Sequence, residues 1–217
     1  MIIPVLTALL GLWTSMAPLE APSNAVNQHH VFYLHGRIVE DGLPAVSPQF
    51  GEYQYHDILS ALDTAEITVH AKVRTSDISV GTAADEVLDT ITLLLSMGVA
   101  PDQITVIGAS KGAYIASLVS HRSANKDLRF VLLAGCSAGV VQYMLDNDIH
   151  LYGDILAVRD VADTEMAGSC EDIFNASPGI GYHTEVITRM GNGHGLIYRP
   201  YKEWMVPALK WVLAPAV

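Results

Sequence analysis

Ile104-Thr105-Val106-Ile107-Gly108-Ala109-Ser110-Lys111-Gly112-Ala113-Tyr114-Ile115-Ala116 is the stretch that decides the fold. Its first four residues are all β-branched, as in a strand buried on both faces, and its last four open a run of helical character. Between them, Gly108-x-Ser110-x-Gly112 must turn the chain from strand to helix within a few residues. A serine on such a turn projects its hydroxyl outward, and the tight backbone leaves no room for side chains beside it, hence the two glycines. The pentapeptide alone is weak, because average glycine and serine usage gives on the order of 0.1 chance matches in a chain of this length. The strand before it and the helix after it remove most of those matches. The bland alternative is a Gly-rich turn closing an ordinary βα unit.

If Ser110 is a nucleophile, an acid and a histidine should follow it, each on a loop at a strand's carboxyl end. Later strand-like runs are Leu128 to Leu133, Ile155 to Val158 and Thr184 to Thr188. The second opens into Arg159-Asp160-Val161-Ala162-Asp163, which offers two carboxylates. The third gives way to Gly191-Asn192-Gly193-His194-Gly195, whose glycines let the loop carry His194 over the sheet edge. Asp160 stands at the strand end, the place of a turn or capping residue. Asp163 lies further on, where the turn can swing a side chain toward the histidine loop, so Asp163 is the expected orienter and Asp160 the structural one. The other histidines are scattered and are expected to be structural or at the surface.

With these residues in hand, the chain resembles the α/β-hydrolase superfamily, specifically its compact members without a large lid, over roughly residues 31 to 214. The resemblance implies Ser110 as nucleophile, His194 as base and Asp163 as the acid, in the superfamily's chain order. Val31-Phe32-Tyr33-Leu34-His35-Gly36 is similar to the strand and turn that supply half of its oxyanion hole. One donor would then be the backbone N–H of Arg37 and the other that of Lys111, the main chain acting rather than the side-chain charge. His35 is expected to brace the loop with its ring. Since the first recognisable strand corresponds to the superfamily's third, the implied fold is α/β, with a reduced, mainly parallel sheet of about six strands flanked by helices.

Length and patterning agree with a single domain of this kind: 217 residues suffice for one α/β core. Helices are expected over Glu52 to Leu62 and Ala84 to Met97, the second with Val87, Ile91, Leu94 and Leu95 on one face, and a strand over Ile67 to His70. Trp204, Ala208 and Trp211 fall at helical spacing and read as a buried face of a C-terminal helix. Only about twenty residues separate the runs ending at Leu133 and beginning at Ile155, where lidded relatives insert a cap, so an open cleft suited to small or surface-accessible esters is expected. The loop from Arg37 to Gly51, with Pro44, Pro48 and Phe50, is a candidate substrate wall.

Residues 1–25 are expected to be a signal peptide or N-terminal anchor, and 26–217 the hydrolase domain. Ile2 to Trp13 is apolar but too short to span a bilayer, and Ser23-Asn24-Ala25 has the small-x-small pattern of a signal peptidase site. A secreted or periplasmic location follows. No Lys or Arg precedes Arg37, however, so a membrane tether or a mis-assigned start, with a cytoplasmic protein, stands as the alternative. Cys136 and Cys170 each follow a strand end, so they form either a disulfide or two buried thiols. Neither CxxC spacing nor a helical His pair around a carboxylate occurs, so no metal and no cofactor are expected. Gly191-x-Gly193-x-Gly195 follows the last strand with no βαβ unit beyond it and does not read as a dinucleotide fingerprint.

A net charge of −11 without any basic run excludes nucleic acid as an expected partner. Two function classes remain. One is a serine hydrolase acting on a small-molecule ester through an acyl-enzyme intermediate, a chemistry that also covers thioester and peptide bonds. The other is a non-catalytic binding protein on the same fold. Retention of Ser110, Asp163 and His194 together favours the first.

Overall fold

The computed structural model describes residues 28–215; the expected signal segment and the boundary at residue 26 lie outside them. Strand β1 (His29–Leu34) leads into a 3-10 turn (Arg37–Asp41) and a short antiparallel hairpin of β2 (Val46–Ser47) and β3 (Gly51–Glu52). Then come α1 (Tyr55–Leu62), β4 (Ile67–Ala71), α2 (Val80–Ser96), β5 (Ile104–Ala109) and α3 (Lys111–Ser123). The chain continues through β6 (Arg129–Leu133), α4 (Ala138–Asp146), β7 (Tyr152–Asp160), α5 (Glu171–Asn175), β8 (Gly179–Thr188) and α6 (Lys202–Val212).

Among the described residues, β4-β1-β5-β6-β7-β8 form one parallel sheet of six strands in that spatial order. Strands alternating with helices leave a parallel sheet covered on both faces, which is why its strands read as nearly continuous apolar runs. The period of two sorts them. Phe32, Val106, Phe130, Leu132, Ile155 and Ala157 face α2, α3, α4 and α5. Their neighbours Tyr33, Ile107, Val131, Leu133, Leu156 and Val158 face α1 and α6, where Ile58, Leu62, Trp204 and Ala208 are also fully or almost fully buried. Trp204 donates its indole N–H to the Arg199 carbonyl at 2.8 Å, so the largest side chain of this layer is buried without an orphaned donor. Truncating it to alanine costs about 3–5 kcal/mol.

Arg129 interrupts the apolar pattern of β6 for a visible reason. Its buried guanidinium donates to the carbonyls of Trp211, Val212, Ala214 and Pro215, satisfying the carbonyl end of α6.

All six strands point the same way, so their carboxyl ends share one edge of the sheet. The order reverses beside β1: β4 lies on one side of it and β5 on the other. In an open α/β sheet the crevice for a ligand lies at that reversal, between the loops leaving the two strands. Here those loops are His35–Arg37 and the turn at Ser110.

The elements differ from their expected bounds where a local contact decides. Helix α1 begins after Glu52, because Gly51 and Glu52 pair with Val46 and Ser47. Helix α2 starts earlier than expected, because the Ser79 hydroxyl accepts the Thr82 N–H at 3.0 Å and caps it.

Candidate active site

Ser110 is held at φ 53° and ψ −116°, a conformation few side-chain-bearing residues adopt. Its N–H donates to the Leu133 carbonyl of β6 at 2.9 Å, and its own carbonyl accepts the Ala113 N–H at 2.8 Å, so the turn is pinned on both sides. The two glycines are sterically required. A Cβ on Gly108 would overlap the Gly112 carbonyl, and one on Gly112 would overlap the Leu34 carbonyl. Close approach of β5, α3 and the end of β1 thus depends on both positions.

Two later loops meet the serine. His194 lies in a 3-10 turn (Gly193–Tyr198) after β8, reached through Gly191 and Gly193, both at positive φ. Its Nε2 is 2.9 Å from Ser110 Oγ, and its Nδ1 is 2.6 Å from Asp163 Oδ2. An ionised Asp163 can only accept, so Nδ1 carries the proton and Nε2 is left to accept the serine hydroxyl. Both His194 and Asp163 are buried, whereas Ser110 stays partly open to solvent.

The two carboxylates of the β7 loop do different work. Asp163 turns to the histidine, its second oxygen accepting the Met166 N–H at 3.2 Å. Asp160 is fully buried and never reaches His194: it accepts from the Ala162 N–H, the Thr188 hydroxyl and the Met190 N–H at 2.7 to 2.9 Å. Burial works to raise its carboxyl, but these bonds outweigh it and hold the group below the usual carboxylate range. Asp160 therefore ties the end of β7 to the chain leaving β8.

The loop after β1 is built from buried polar groups. Arg37 and Lys111 are each the first residue of a helical turn, so neither backbone N–H has a carbonyl one turn back to bond. The His35 ring donates from Nδ1 to the Gly36 carbonyl and accepts the Arg74 N–H at Nε2, both at 2.8 Å. Burial pushes this histidine down to about 4, the Arg74 guanidinium adding to the depression. One turn on, buried Glu40 accepts from Arg74 Nε at 2.9 Å and from Lys111 Nζ at 2.8 Å. The Arg37 side chain is exposed.

A disulfide joins Cys136, after β6, to Cys170, at the far end of the loop that carries Asp163. Beside it the Gly168 N–H donates to the Gly135 carbonyl. Phe50 packs at 6.4 Å from His194 and 5.2 Å from Tyr198 between ring centres, placing the Arg37–Gly51 loop against the site. Gly195 makes room for it, since a Cβ there would sit 2.9 Å from the Phe50 ring. A cavity of about 590 Å³ lies elsewhere, between β4 and α2, and Ser110 does not line it. Among the described residues no group of three or more His, Cys, Asp and Glu side chains could hold a metal ion, and no helix is long and apolar enough to cross a membrane.

Sequence reasoning singled out Ser110, Asp163, His194, Arg37 and Lys111, and the structure places them around one crevice. It missed Glu40 and Arg74. Their only signal was an acid soon after the His35-Gly36 turn, with no indication of a partner.

No family model matches the chain, and no curated protein does. Solved structures do resemble it. A phospholipase/carboxylesterase from Dyadobacter fermentans is 14% identical, with 79% of this chain and 85% of that one covered at a TM-score of 0.53. Est1E from Butyrivibrio proteoclasticus, solved with ferulic acid bound, is 14% identical over 88% and 90% of the two chains, at 0.55. RedJ, a thioesterase from the prodiginine biosynthetic pathway of Streptomyces coelicolor, is 12% identical over 92% and 91%, at 0.51. The parallel six-stranded sheet, the elbow after β5 and these similarities together give this chain the α/β-hydrolase fold.

Proposed function

We propose that this chain is a serine hydrolase that cleaves carboxylic esters of small or exposed substrates through an acyl-enzyme intermediate. The observation that carries the proposal is the unbroken hydrogen-bonded line from Asp163 through His194 to Ser110, ending on a serine in a strained, partly open turn. In the first half-reaction Ser110 Oγ attacks the acyl carbon while His194 Nε2 takes its proton. The carbonyl oxygen gains negative charge, which the Arg37 and Lys111 N–H groups stabilise. Asp163 fixes the imidazole tautomer and stabilises the imidazolium. Collapse breaks the bond to the alkoxy group, which leaves as the alcohol with the proton from His194. Water, deprotonated by the same nitrogen, then releases the acid and restores the serine hydroxyl.

Export is part of the same reading, supported by the Ser23-Asn24-Ala25 pattern and by a disulfide, which persists in oxidising compartments. The short β6–β7 connection, holding one nine-residue helix, supports an open cleft and hence a small acyl group. The test is a panel of esters graded by acyl length, with a thioester and an amide of matching acyl group, measured on the wild type and on Ser110→Ala. Short-chain esters should be turned over fastest. Ser110→Ala should lower kcat on the order of a thousandfold or more with the fold intact. Near-wild-type hydrolysis by that variant would remove Ser110 as the nucleophile.

A further inference from the structure

From the Glu40 node we infer that Glu40 is a positioning residue for the oxyanion hole, holding the Arg37 and Lys111 backbone donors in register from beneath. The inference rests on the oxyanion roles proposed above. One carboxylate, with its side chain 2% exposed, draws together three segments far apart in sequence. It sits on the 3-10 turn that begins at Arg37, and it accepts both Nε and Nη2 of Arg74 on the chain leaving β4. Lys111, the residue after the serine, places its ammonium 2.8 Å from each carboxylate oxygen. Arg74 closes the frame by donating Nη2 to the His35 carbonyl at 3.1 Å and its own N–H to the His35 ring.

The two backbone donors therefore belong to the residue that starts the Glu40 turn and to the residue whose ammonium Glu40 holds. Donors aimed at a developing oxyanion act only when fixed beforehand at hydrogen-bonding distance, and a displacement of about 1 Å can cost on the order of a hundredfold. The β1 and β5 loops share no sheet pairing beyond Leu34 and Gly108; past that point the backbone contact at Gly112 and the side chains set their spacing together. The Lys111 ammonium and the Glu40 carboxylate span that gap.

Charge separates positioning from simple electrostatics. Glu40→Gln makes the node more positive and Lys111→Met makes it less so. If net charge beside the oxyanion were the operative factor, the two variants would shift the rate in opposite directions. If the frame positions the donors, both must lower it.

The experiment measures kcat and KM on a short-chain ester for the wild type, Glu40→Gln, Glu40→Asp and Lys111→Met. Active sites are counted by fluorophosphonate titration, and the inhibition constant of a boronic acid, which binds as a tetrahedral anion, is measured alongside. Positioning predicts that kcat falls about tenfold to a hundredfold in Glu40→Gln and by a smaller factor in Lys111→Met, with KM within about twofold. Boronate affinity should fall in parallel with kcat/KM, and Glu40→Asp should recover part of both. A Glu40→Gln protein with wild-type kcat per titrated site and lower thermal stability would overturn the inference, as would opposite shifts in Glu40→Gln and Lys111→Met. Should Glu40→Gln fail to fold, Lys111→Met decides alone, since it leaves Glu40 paired to Arg74; unchanged kcat and boronate affinity there would overturn it. Absence of labelling in the wild type is a separate result, which would strike the proposed function itself.

Discussion

The loop after β1 and the loop after β7 both close on Ser110, yet different physics holds each in place. The β1 loop is fastened by charge: Glu40 between Arg74 and Lys111, and the neutral His35 ring bonded at both nitrogens. No covalent link secures it. The β7 loop is fastened by a disulfide at its far end and by Asp160 at its near end, with Asp163 between them bonded to His194 and to the Met166 N–H. A loop whose proposed part is to present backbone donors can be held by neighbouring side chains. The loop that carries Asp163 holds its backbone mainly by other means, leaving one oxygen of that side chain to the imidazole.

The sharpest way to break this contrast lies within the β7 loop itself. Asp163→Asn should lower kcat by about a thousandfold to ten-thousandfold by favouring the wrong imidazole tautomer, with KM little changed. Asp160→Asn should leave kcat near wild type and cost about 3 kcal/mol of unfolding free energy, because an amide cannot accept all the bonds the carboxylate accepts. Parallel kinetics and urea unfolding check both, and a larger kinetic loss at Asp160 would reverse the two roles.

Next in size is the covalent tether. Replacing Cys136 and Cys170 by serine opens a loop with a sequence separation of 34 and should cost about 4 kcal/mol in the chain-entropy model. A fall in Tm of about 10 °C would follow for a domain of this size. Measured well below the transition, kcat should drop far less than in Asp163→Asn. A loss as large as that of Asp163→Asn would mean that the disulfide, rather than Asp160 and the loop's own turns, aims the acid.

Acid should reach the β1 loop before the β7 loop. Burial disfavours the charged His35 ring and holds its pKa down to about 4, below the ordinary histidine value of 6.5. Between those values the unfolded chain binds the extra proton, so the His35 contribution is complete above pH 6.5 and is lost as pH falls to about 4, about 3 kcal/mol in all. Asp160 is depressed from 3.8, so its contribution is lost only at still lower pH. His29 and His70 are also lowered by burial, so His35→Gln is needed to isolate one ring. The stability gap between wild type and that variant should narrow from pH 6.5 to 4. A gap independent of pH would remove the neutral ring from the account.

What the sequence disclosed follows the same division. The elbow was legible because its strain is local: Gly108 and Gly112 are required by carbonyls that would meet any Cβ. Asp163 and His194 were legible because parallel strands deliver their loops to one edge in chain order. Glu40 was not, since its partners Arg74 and Lys111 lie 34 and 71 residues away and only the folded sheet brings them together. Helix α5 escaped because its five residues are too few for a helical period to stand out from neighbouring turns. Arg129 gave no hint that its guanidinium caps α6, because that role depends on carbonyls more than 80 residues later.

Fluorophosphonate labelling of the intact protein, followed by peptide mapping, tests the central claim most directly. A single adduct on Ser110 is predicted, with ester turnover lost in proportion to labelling and neither adduct nor turnover in Ser110→Ala. An unmodified Ser110, or an adduct on another residue while turnover continues, would contradict it.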